Sequence, residues 1–498
     1  MKKSNLKKAF ALSALMAFVI TGSAYAESIK VVQGATKDDT SVIKVGQNDI
    51  FENAGTVNAT ESITVNDGTF NNTGTGTIET GTLDIYSNKI DDYEIKGNIK
   101  ASDKIIYRGT ADNLYTRGLS AKLDTPELHI IGTTNQTGLQ IMNNDVLTNV
   151  DKIIVESQGE KTGLVITNNE QIDITAPIYL KYNSDADKDA RVEVYSGATL
   201  TADKIIAESG KTKVQANGVS FVKLNNIVVN DEGDFSLQTN SSGMPATGGH
   251  PTFELNTITI GNDAEFKTSI YGNEPEAHIT GNDVTINLGE NAKADFGGVG
   301  DGTKKDWRGD RIYFDVDKLT INVNGTEEYN YGSLKNYKQS YENGVFISAA
   351  NTKYNPSGDN INCDNITVIG AGEANTGNLE NDLQRLAYVV KVTREEPGFE
   401  ANKLPEILAP TGATVEQNPG GIDDGGKGTV DEDGNVTDIE TIKNPDVFGT
   451  EEVGALGLIS WRNDLDDMNK RLGELRDSKG EHGVWVRMVR GENDYKSL

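Results

Sequence analysis

The chain has 498 residues, of which 75 are acidic and 47 are basic, so its formal net charge at pH 7 is −28. A surface this acidic repels nucleic acid and anionic membranes, which argues against nucleic-acid binding as a function class. The single cysteine, Cys363, rules out an intramolecular disulfide, and four histidines leave little material for metal sites or acid–base chemistry. We therefore expect no cofactor, and a stability that comes from packing and backbone pairing.

Residues 1–26 have the three parts of a secretory signal peptide. Four lysines precede a short apolar segment, residues 9–20, and Ala24-Tyr25-Ala26 forms a small-x-small cleavage pattern before Glu27. The alternative is an uncleaved N-terminal anchor, but the apolar segment is too short to span a bilayer as a stable helix. We predict export by the general secretory pathway and a mature chain that begins at Glu27.

Residues 27–394 repeat one pattern, in which short β-branched runs alternate with Gly, Asn and Asp turns. The first apolar residue of successive runs recurs mostly at steps of 20 to 31 residues, with longer steps only near the C-terminal end of the repeat. A step of about 20–30 residues accommodates three short strands and three turns, which is one coil of a β-helix. The landmarks are Ile63, Leu83, Ile105, Leu128, Ile153, Ile178, Ile205, Ile227, Ile258, Val284, Leu319 and Ile366.

The repeat predicts an all-β fold, a right-handed parallel β-helix (β-solenoid) over residues 27–394. Within Ile258-Thr259-Ile260 the two isoleucines point one way and the threonine the other, as a half-buried strand requires. Paired asparagines at the ends of runs, such as Asn71-Asn72 and Asn225-Asn226, suit tight corners. A β-sandwich is the rival fold, but it requires strands spaced about 8–12 residues apart and domain-sized breaks.

The repeat changes character near its C-terminal end. Residues 378–386 predict one or two helical turns, and residues 387–393 predict a strand. Residues 395–457 are rich in Gly, Pro, Asp and Glu and have little periodic apolar content, so we expect a mobile acidic linker. The short apolar stretch 403–410 is the part of this segment that can still dock on the end of the solenoid.

Residues 458–498 predict a helix, a turn and one strand. Ser460 suits the N-cap and Gly480 the position after the last turn, which predicts a helix over 460–479. Residues 483–491 then alternate apolar and polar side chains, as a strand of an outer-membrane barrel does. One face of the helix carries an apolar stripe with spacings of 4, 3, 4 and 3, formed by Trp461, Leu465, Met468, Leu472 and Leu475.

This C-terminal segment resembles the start of the translocator domain of autotransporters (type Va secretion). The resemblance implies a pore helix inside a twelve-stranded outer-membrane barrel, through which a β-helical passenger is exported and then displayed or released as an adhesin or self-association protein. The implied partners are the outer membrane, the barrel-assembly machinery, and ligands on host or bacterial surfaces. The residues that carry the resemblance are Asn469, Lys470, Arg471, Gly473, Leu475, Arg476, Gly483, Trp485 and Arg487.

The chain departs from the family pattern in two ways. Only one strand follows the helix, whereas twelve strands need about 120 residues, so we expect a truncated barrel, as a gene product or as an incomplete sequence. Because an open strand cannot exist in lipid, we expect the full-length protein at the outer membrane or cell surface, and a truly truncated one in the periplasm. Some family members cut themselves at an Asn-Asn pair. The matching residues are Asp466-Asp467, where we expect no cleavage because a carboxylate is a poorer nucleophile.

The sequence offers no catalytic motif, so we expect no enzyme. A Gly-x-Ser-x-Gly nucleophile elbow and a His-Glu-x-x-His zinc motif are both missing from the sequence. Two alternatives stay open: a carbohydrate-active β-helix enzyme and a non-functional truncated fragment. A groove where Asp, Glu and Arg side chains from several coils converge would indicate the enzyme, whereas flat faces lined by Thr and Asn would indicate an adhesin.

Two short motifs suggest binding only weakly. Arg308-Gly309-Asp310 follows a glycine-rich insertion and matches a cell-attachment tripeptide, but a tripeptide recurs by chance. Residues 430–438 alternate oxygen donors around Gly434, but they lack the distal glutamate of a calcium loop, so a solvated acidic turn is the simpler interpretation. His129 and His278 lie in strand runs and are interpreted as polar residues with satisfied hydrogen bonds.

Overall fold

The computed structural model describes residues 25–447 and 453–465, except for 40, 67, 87–88, 91–93, 109–117, 133–136, 160, 168–169, 184–187, 241–249, 272–276, 300–311, 330–342, 349–360, 364, 395–405, 409, 448–452, 455 and 463–464. Within these residues the chain is dominated by strands that pair in parallel with strands one coil further along. This confirms an all-β, solenoid-like fold and excludes the β-sandwich, which is built from antiparallel sheets.

Each coil contributes up to three strand segments, which stack on their counterparts as three faces. We call them A, B and C. Face A contains residues 36–39, 56–59, 77–80, 98–101, 122–125, 149–150, 171–174, 199–202, 221–224, 252–255, 277–281, 312–316 and 361–362. Face B contains residues 42–45, 62–65, 82–86, 104–107, 128–132, 153–157, 178–182, 205–209, 226–229, 257–260, 283–288, 318–323, 365–370 and 414–417. Face C contains residues 28–31, 50–53, 69–72, 89–90, 94–95, 118–119, 137–141, 162–166, 190–194, 211–217, 234–240, 265–271, 293–299, 344–348 and 390–394.

Faces A and B, with the first coils of face C, form one sheet, because several long strands continue around a corner from one face to the next. Its 25 strands are Tyr25–Val31, Thr36–Asp39, Val42–Asn53, Thr56–Asn66, Thr69–Asn72, Thr77–Tyr86, Lys89–Ile90, Asn98–Tyr107, Lys122–Thr125, Leu128–Gly132, Asn149–Val150, Ile153–Ser157, Gln171–Ile174, Ile178–Tyr182, Thr199–Ala202, Ile205–Ser209, Phe221–Val229, Thr252–Ile260, Ala277–Leu288, Ile312–Val323, Ile361–Asn362, Asn365–Gly370, Thr414–Gln417, Gly425–Val430 and Val436–Ile442.

The rest of face C forms a second sheet, and in the described part of the chain three short helices lie between strands. The 12 strands of this sheet are Glu94–Ile95, Gly118–Leu119, Thr137–Ile141, Thr162–Ile166, Ala190–Val194, Lys211–Asn217, Asp234–Asn240, Glu265–Tyr271, Lys293–Val299, Gly344–Ser348, Val390–Arg394 and Glu406–Leu408. The helices are the 3₁₀ turns Asn144–Leu147 and Gly372–Ala374 and the α-helix Leu379–Ala387. Asn378 caps the α-helix by accepting a hydrogen bond from the backbone NH of Asn381, and a strand follows, so both local predictions for 378–393 are confirmed.

The apolar landmarks stack directly on one another along face B. From Ile63 to Ile258 each landmark is the cross-coil partner of the next, which confirms the repeat. The prediction is wrong at its end, because Ile258 pairs with Ile286 rather than Val284, and Leu319 and Ile366 are displaced by the same two residues. Strand Ala277–Leu288 has two extra residues at its corner. Both Val284 and Ile286 point inward, so a period of two cannot distinguish them.

The interior of the solenoid contains stacked rings and one buried amide pair. The ring of Phe266 lies 5.8 Å from that of Phe235 and 5.3 Å from that of Phe296, and all three side chains are fully buried. Near the N-terminal end, Asn53 Nδ2 donates to Asn72 Oδ1 over 2.8 Å, and neither residue is exposed. At this position the stacked coils satisfy the amide groups that they bury.

The expectation of a mobile linker over 395–457 is wrong for its central part. Thr414–Gln417 adds a strand to face B, and two further strands continue from it as an antiparallel meander. Glu406–Leu408 pairs antiparallel with the last strand of face C, so this part of the stretch 403–410 does dock. The few apolar residues hidden in this polar segment, Val415 and Val430 among them, are buried on the last coil, and an average over composition misses such a cap.

The C-terminal helix begins earlier than predicted. Residues 453–454 and 456–462 are helical, so Ser460 lies within the helix and is not its N-cap. Leu456 and Leu458 have high helix propensity, which explains why the helix extends N-terminally. The rest of the predicted helix 460–479 and the strand 483–491 lie outside the described residues. In the part that is described, no helix is long and apolar enough to cross a membrane.

Candidate binding face

The outer surface of face B carries rows of identical or similar side chains. Because side chains alternate across a strand, residues two apart point outward together, and parallel register stacks them on the same positions of the next coil. Coils stack about 4.7–4.9 Å apart, so each outward row repeats at that spacing. The rows differ along the face.

The C-terminal half of face B carries a ladder of five threonines. Each member is the direct cross-coil partner of the next, and each side chain is only half-buried. A hydroxyl both donates and accepts a hydrogen bond, so the row presents five equivalent polar groups in line. We call this row the threonine ladder; its members are Thr257, Thr285, Thr320, Thr367 and Thr414.

A second row, two residues further along each strand, is joined by hydrogen bonds from coil to coil. Asn322 Nδ2 donates to Asn287 Oδ1 over 2.8 Å, and Asn287 Nδ2 donates to Thr259 Oγ1 over 3.1 Å. These bonds tie three successive coils together on the outside of the sheet. The surface beside the threonine ladder is therefore flat, polar and ordered before any ligand arrives, which reduces the entropy cost of binding.

The middle coils of face B carry an apolar outward row instead. Ile106, Ile154 and Ile206 lie outside the core cluster, yet each is less than 9% exposed. Tyr179 lies between Ile154 and Ile206 in the same register, and the ring of His129 lies between Ile106 and Ile154. This part of the face is a packed apolar strip flanked by ion pairs such as those of Lys152 with Glu127 and Lys181 with Glu208.

His129 is held between two carboxylates in this strip. Burial lowers the pKa of His129, outweighing the hydrogen bond and charge of Glu156 and the charge of Glu127, so the imidazole is neutral at pH 7. Its Nε2–H donates to Glu156 over 2.8 Å, while Glu127 lies 3.7 Å from Nδ1, beyond hydrogen-bond range. Burial opposes ionisation of Glu156, but hydrogen bonds from Gln158 and His129 outweigh it and lower the pKa of that carboxyl. The interpretation of His129 as a satisfied polar residue is confirmed.

The His129→Gln variant should be less sensitive to acid than the parent protein. Because the folded-state pKa of His129 lies below its unfolded value of about 6.5, the unfolded chain binds the proton more readily, and stability falls as pH drops below that value. Glutamine can still donate to Glu156 but does not titrate. Urea midpoints at pH 7.5 and pH 5.0 should therefore fall less for the variant. An equal fall in both proteins would show that His129 makes no contribution.

The outer surface of face C carries charged side chains that are largely buried and paired with one another. Arg191, only 5% exposed, donates two hydrogen bonds to Asp189 and one, over 3.0 Å, to Gln215. Lys213 Nζ also lies 2.8 Å from Asp189. Burial opposes ionisation of Asp189, but the positive charges of Arg191 and Lys213 outweigh it and lower the pKa of that carboxyl. Burial and the charge of Arg191 lower the pKa of Lys213. A network this buried stabilises the fold and is not accessible to a ligand.

A groove of about 250 Å³ opens at the corner between faces A and B. Three successive strands turn there, and its polar lining residues are Lys223, Asn225, Glu254, Asn256, Asn282 and Asp283. Both of its carboxylates are in ion pairs with lysines: Glu254 lies 2.6 Å from Lys223, and Asp283 lies 3.1 Å from Lys318. The described residues of the lining include no arginine, so the groove does not match the pattern that would indicate a carbohydrate-active enzyme.

Most of the predicted site residues cannot be compared with the structure. The tripeptide Arg308-Gly309-Asp310, the pair Asp466-Asp467, the signal residue Ala24 and every residue of the translocator motif lie outside the described residues. Ala26 and Glu27 belong to the first strand, Tyr25–Val31, so the predicted cleavage point falls near the start of the solenoid.

The proposed calcium segment, residues 430–438, forms the tight turn between the last two strands. Asp431 Oδ1 accepts hydrogen bonds from the backbone NH groups of Asp433 and Asn435, over 3.0 and 2.7 Å. Gly434 supplies the left-handed backbone of this turn, with φ of 83°. Among the described residues, no group of three or more His, Cys, Asp or Glu side chains is placed to hold a metal ion.

The comparisons with known proteins identify no relative. No protein-family model, no curated protein and no solved structure matches this chain. The candidate site therefore rests on the geometry of the chain itself.

The threonine ladder was not singled out from the sequence, although its signal is present there. Each member of the threonine ladder immediately precedes an inward apolar residue of face B, as in Thr257-Ile258, Thr285-Ile286 and Thr320-Ile321. Aligning the repeats on Ile286 rather than Val284 would have placed the threonines in one column. Because the landmarks were displaced by two residues, the threonines did not fall at equivalent positions of the repeat.

Proposed function

We propose that this protein is the β-helical passenger of an autotransporter, exported to the cell surface, where it acts as an adhesin or self-association protein through the outer surface of face B. The observation that carries the proposal is the threonine ladder with its neighbouring amide row. Flat rows of threonine and asparagine were the feature expected of an adhesin. A regular row of identical groups suits many weak, simultaneous contacts, and linked weak contacts give strong attachment.

Export is supported by the sequence at both ends of the chain. Residues 1–26 predict a signal peptide, and residues 469–487 resemble the translocator domain of autotransporters. We propose that the solenoid is right-handed, because crossover connections between parallel strands are right-handed in about 98% of cases. The partners on this proposal are the outer membrane, the barrel-assembly machinery, and surface ligands.

A double variant in the threonine ladder tests the proposal. Thr285→Lys with Thr320→Lys places two like charges on neighbouring coils of face B, and these should disrupt the contact surface without entering the core. Beads coated with the purified protein, expressed with its own residues 1–26, should aggregate with one another or adhere to bacterial and epithelial cells. Attachment of beads coated with the variant should be at least about tenfold lower. N-terminal sequencing of the same preparation should give Glu27 as the first residue.

A matched control tests whether the loss of attachment depends on face B or only on the added positive charge. Thr56 and Thr77 are also half-buried cross-coil partners, but they lie on face A. Thr56→Lys with Thr77→Lys adds the same charge and should leave attachment unchanged. Equal loss in both variants, or attachment that persists in the ladder variant, would contradict a role for face B.

A further inference from the structure

The groove at the corner between faces A and B forms where the coils become longer by two residues at that corner. Glu254 pairs with Thr280 and Thr257 pairs with Thr285, so strand Ala277–Leu288 has two more residues at this corner than the strand before it. The next coil keeps the wider corner. Extra residues in one strand bend it and re-aim its side chains. Asn282 and Asp283 therefore stand out as one wall of the groove, beside the narrower corners of two preceding coils.

The balanced charges and exposed amides that line this corner groove favour neutral polar ligands. The Lys223–Glu254 ion pair holds both side chains on one side of the groove. The amides of Asn256 and Asn282 are exposed, and each can donate and accept hydrogen bonds. The two carboxylates of the lining outnumber its one lysine, and a second lysine, Lys318, balances Asp283. A near-neutral site of this kind disfavours a strongly anionic ligand.

A row of three stacked rings lies beside the same coils, with His278 and Tyr313 on face A and His250 just before the strand that begins at Thr252. The rings of His250 and His278 are stacked 5.6 Å apart, and those of His278 and Tyr313 are stacked 4.6 Å apart. His278 and Asn282 are on the same strand, four residues apart, which is about 13 Å at the rise of an extended chain. Stacked in this way, the rings cover one another's faces and present their edges, while the groove offers hydrogen bonds. The two surfaces lie close enough for one elongated ligand to contact both.

We propose that the corner groove is a glycan-binding subsite that takes one sugar residue of a neutral oligosaccharide, with the row of stacked rings contacting the sugars that follow. The volume of about 250 Å³ is slightly below the range of drug-sized pockets, which fits a single sugar ring. Sugar hydroxyls donate to the carboxylates and exchange hydrogen bonds with the amides. This inference rests on the proposed function, because it names a ligand class for the displayed solenoid.

The binding of neutral hexasaccharides tests this subsite. Isothermal titration of the purified chain with maltohexaose, cellohexaose and chitohexaose should detect binding of at least one. Asn256→Ala with Asn282→Ala should raise the Kd of that sugar about tenfold or more, because two hydrogen-bonding groups are lost. Glu254→Gln, which keeps the shape of the side chain, should also weaken binding. Asn98→Ala, at an exposed position of face A far from the groove, should not.

Each outcome decides for or against the subsite. If none of the three sugars binds, if the double variant binds as well as the parent, or if a heparin hexasaccharide is preferred to every neutral sugar, the subsite is wrong. Attachment of coated beads is measured separately and depends on face B. Beads that attach while no sugar binds would leave the proposed function standing and overturn only the subsite.

Discussion

Replacing Phe266 by alanine should lower the free energy of unfolding by about 3–5 kcal/mol. The side chain is fully buried, and its ring packs between those of Phe235 and Phe296 on the neighbouring coils. A cavity at this position removes contacts with two coils at once, and coils of a solenoid are stabilised mainly by their neighbours. The loss should appear as a lower urea midpoint.

The control is the same change on the outside of the solenoid. Phe221 is half-buried on the outer surface of face A, so Phe221→Ala should cost much less. Hydrogen exchange should show where the Phe266→Ala variant is weakened, with the largest loss of protection in the coils at 234–240 and 293–299. Similar midpoints for the two variants would mean that the phenylalanine stack does not hold these coils together.

Replacing Asp189 by asparagine should destabilise the protein by about 3–5 kcal/mol, because it leaves two buried positive charges without their shared carboxylate. The side chain of Arg191 is 5% exposed and that of Lys213 is 13% exposed. The folded-state pKa of Asp189 lies below its usual value. This carboxylate therefore contributes stability above pH about 4, and the contribution is lost as pH falls through the lower folded value.

Urea midpoints at pH 7 and at pH 3.5 check both parts of this prediction. The Asp189→Asn variant should be far less stable than the parent at pH 7, and the difference should shrink at the lower pH. Asp124→Asn is the control, since Asp124 forms an exposed pair with Lys100 and should contribute at most about 1 kcal/mol. A parent protein that matches the Asp189→Asn variant at pH 7 would rule out a stabilising role for this network.

The repeat could be predicted because each coil obeys the same local rules. Turn residues mark the corners, and alternation in segments such as Ile258-Thr259-Ile260 marks the faces, where both isoleucines are buried and the threonine is half-exposed. The helix at Leu379–Ala387 could be predicted for the same reason, since its cap and apolar spacing are local. Information of this kind needs no knowledge of distant residues.

The candidate site could not be predicted in the same way. The threonine ladder depends on which residue of one coil lies against which residue of the next, and the two-residue insertion at 281–284 changes that register. The corner groove depends on the same insertion. Arg191 and Asp189 are close in sequence, but Lys213 and Gln215 reach them only through the pairing of neighbouring strands.

The amino-acid sequence by itself determined that the chain coils into stacked parallel strands, because spacing, turn residues and side-chain alternation are properties of short segments. Only the tertiary structure decided which side chains share a row, that Arg191 is enclosed, and that residues 414–442 close the end of the solenoid. These features depend on register between coils and on burial of a few apolar residues. Neither quantity can be read from any single segment.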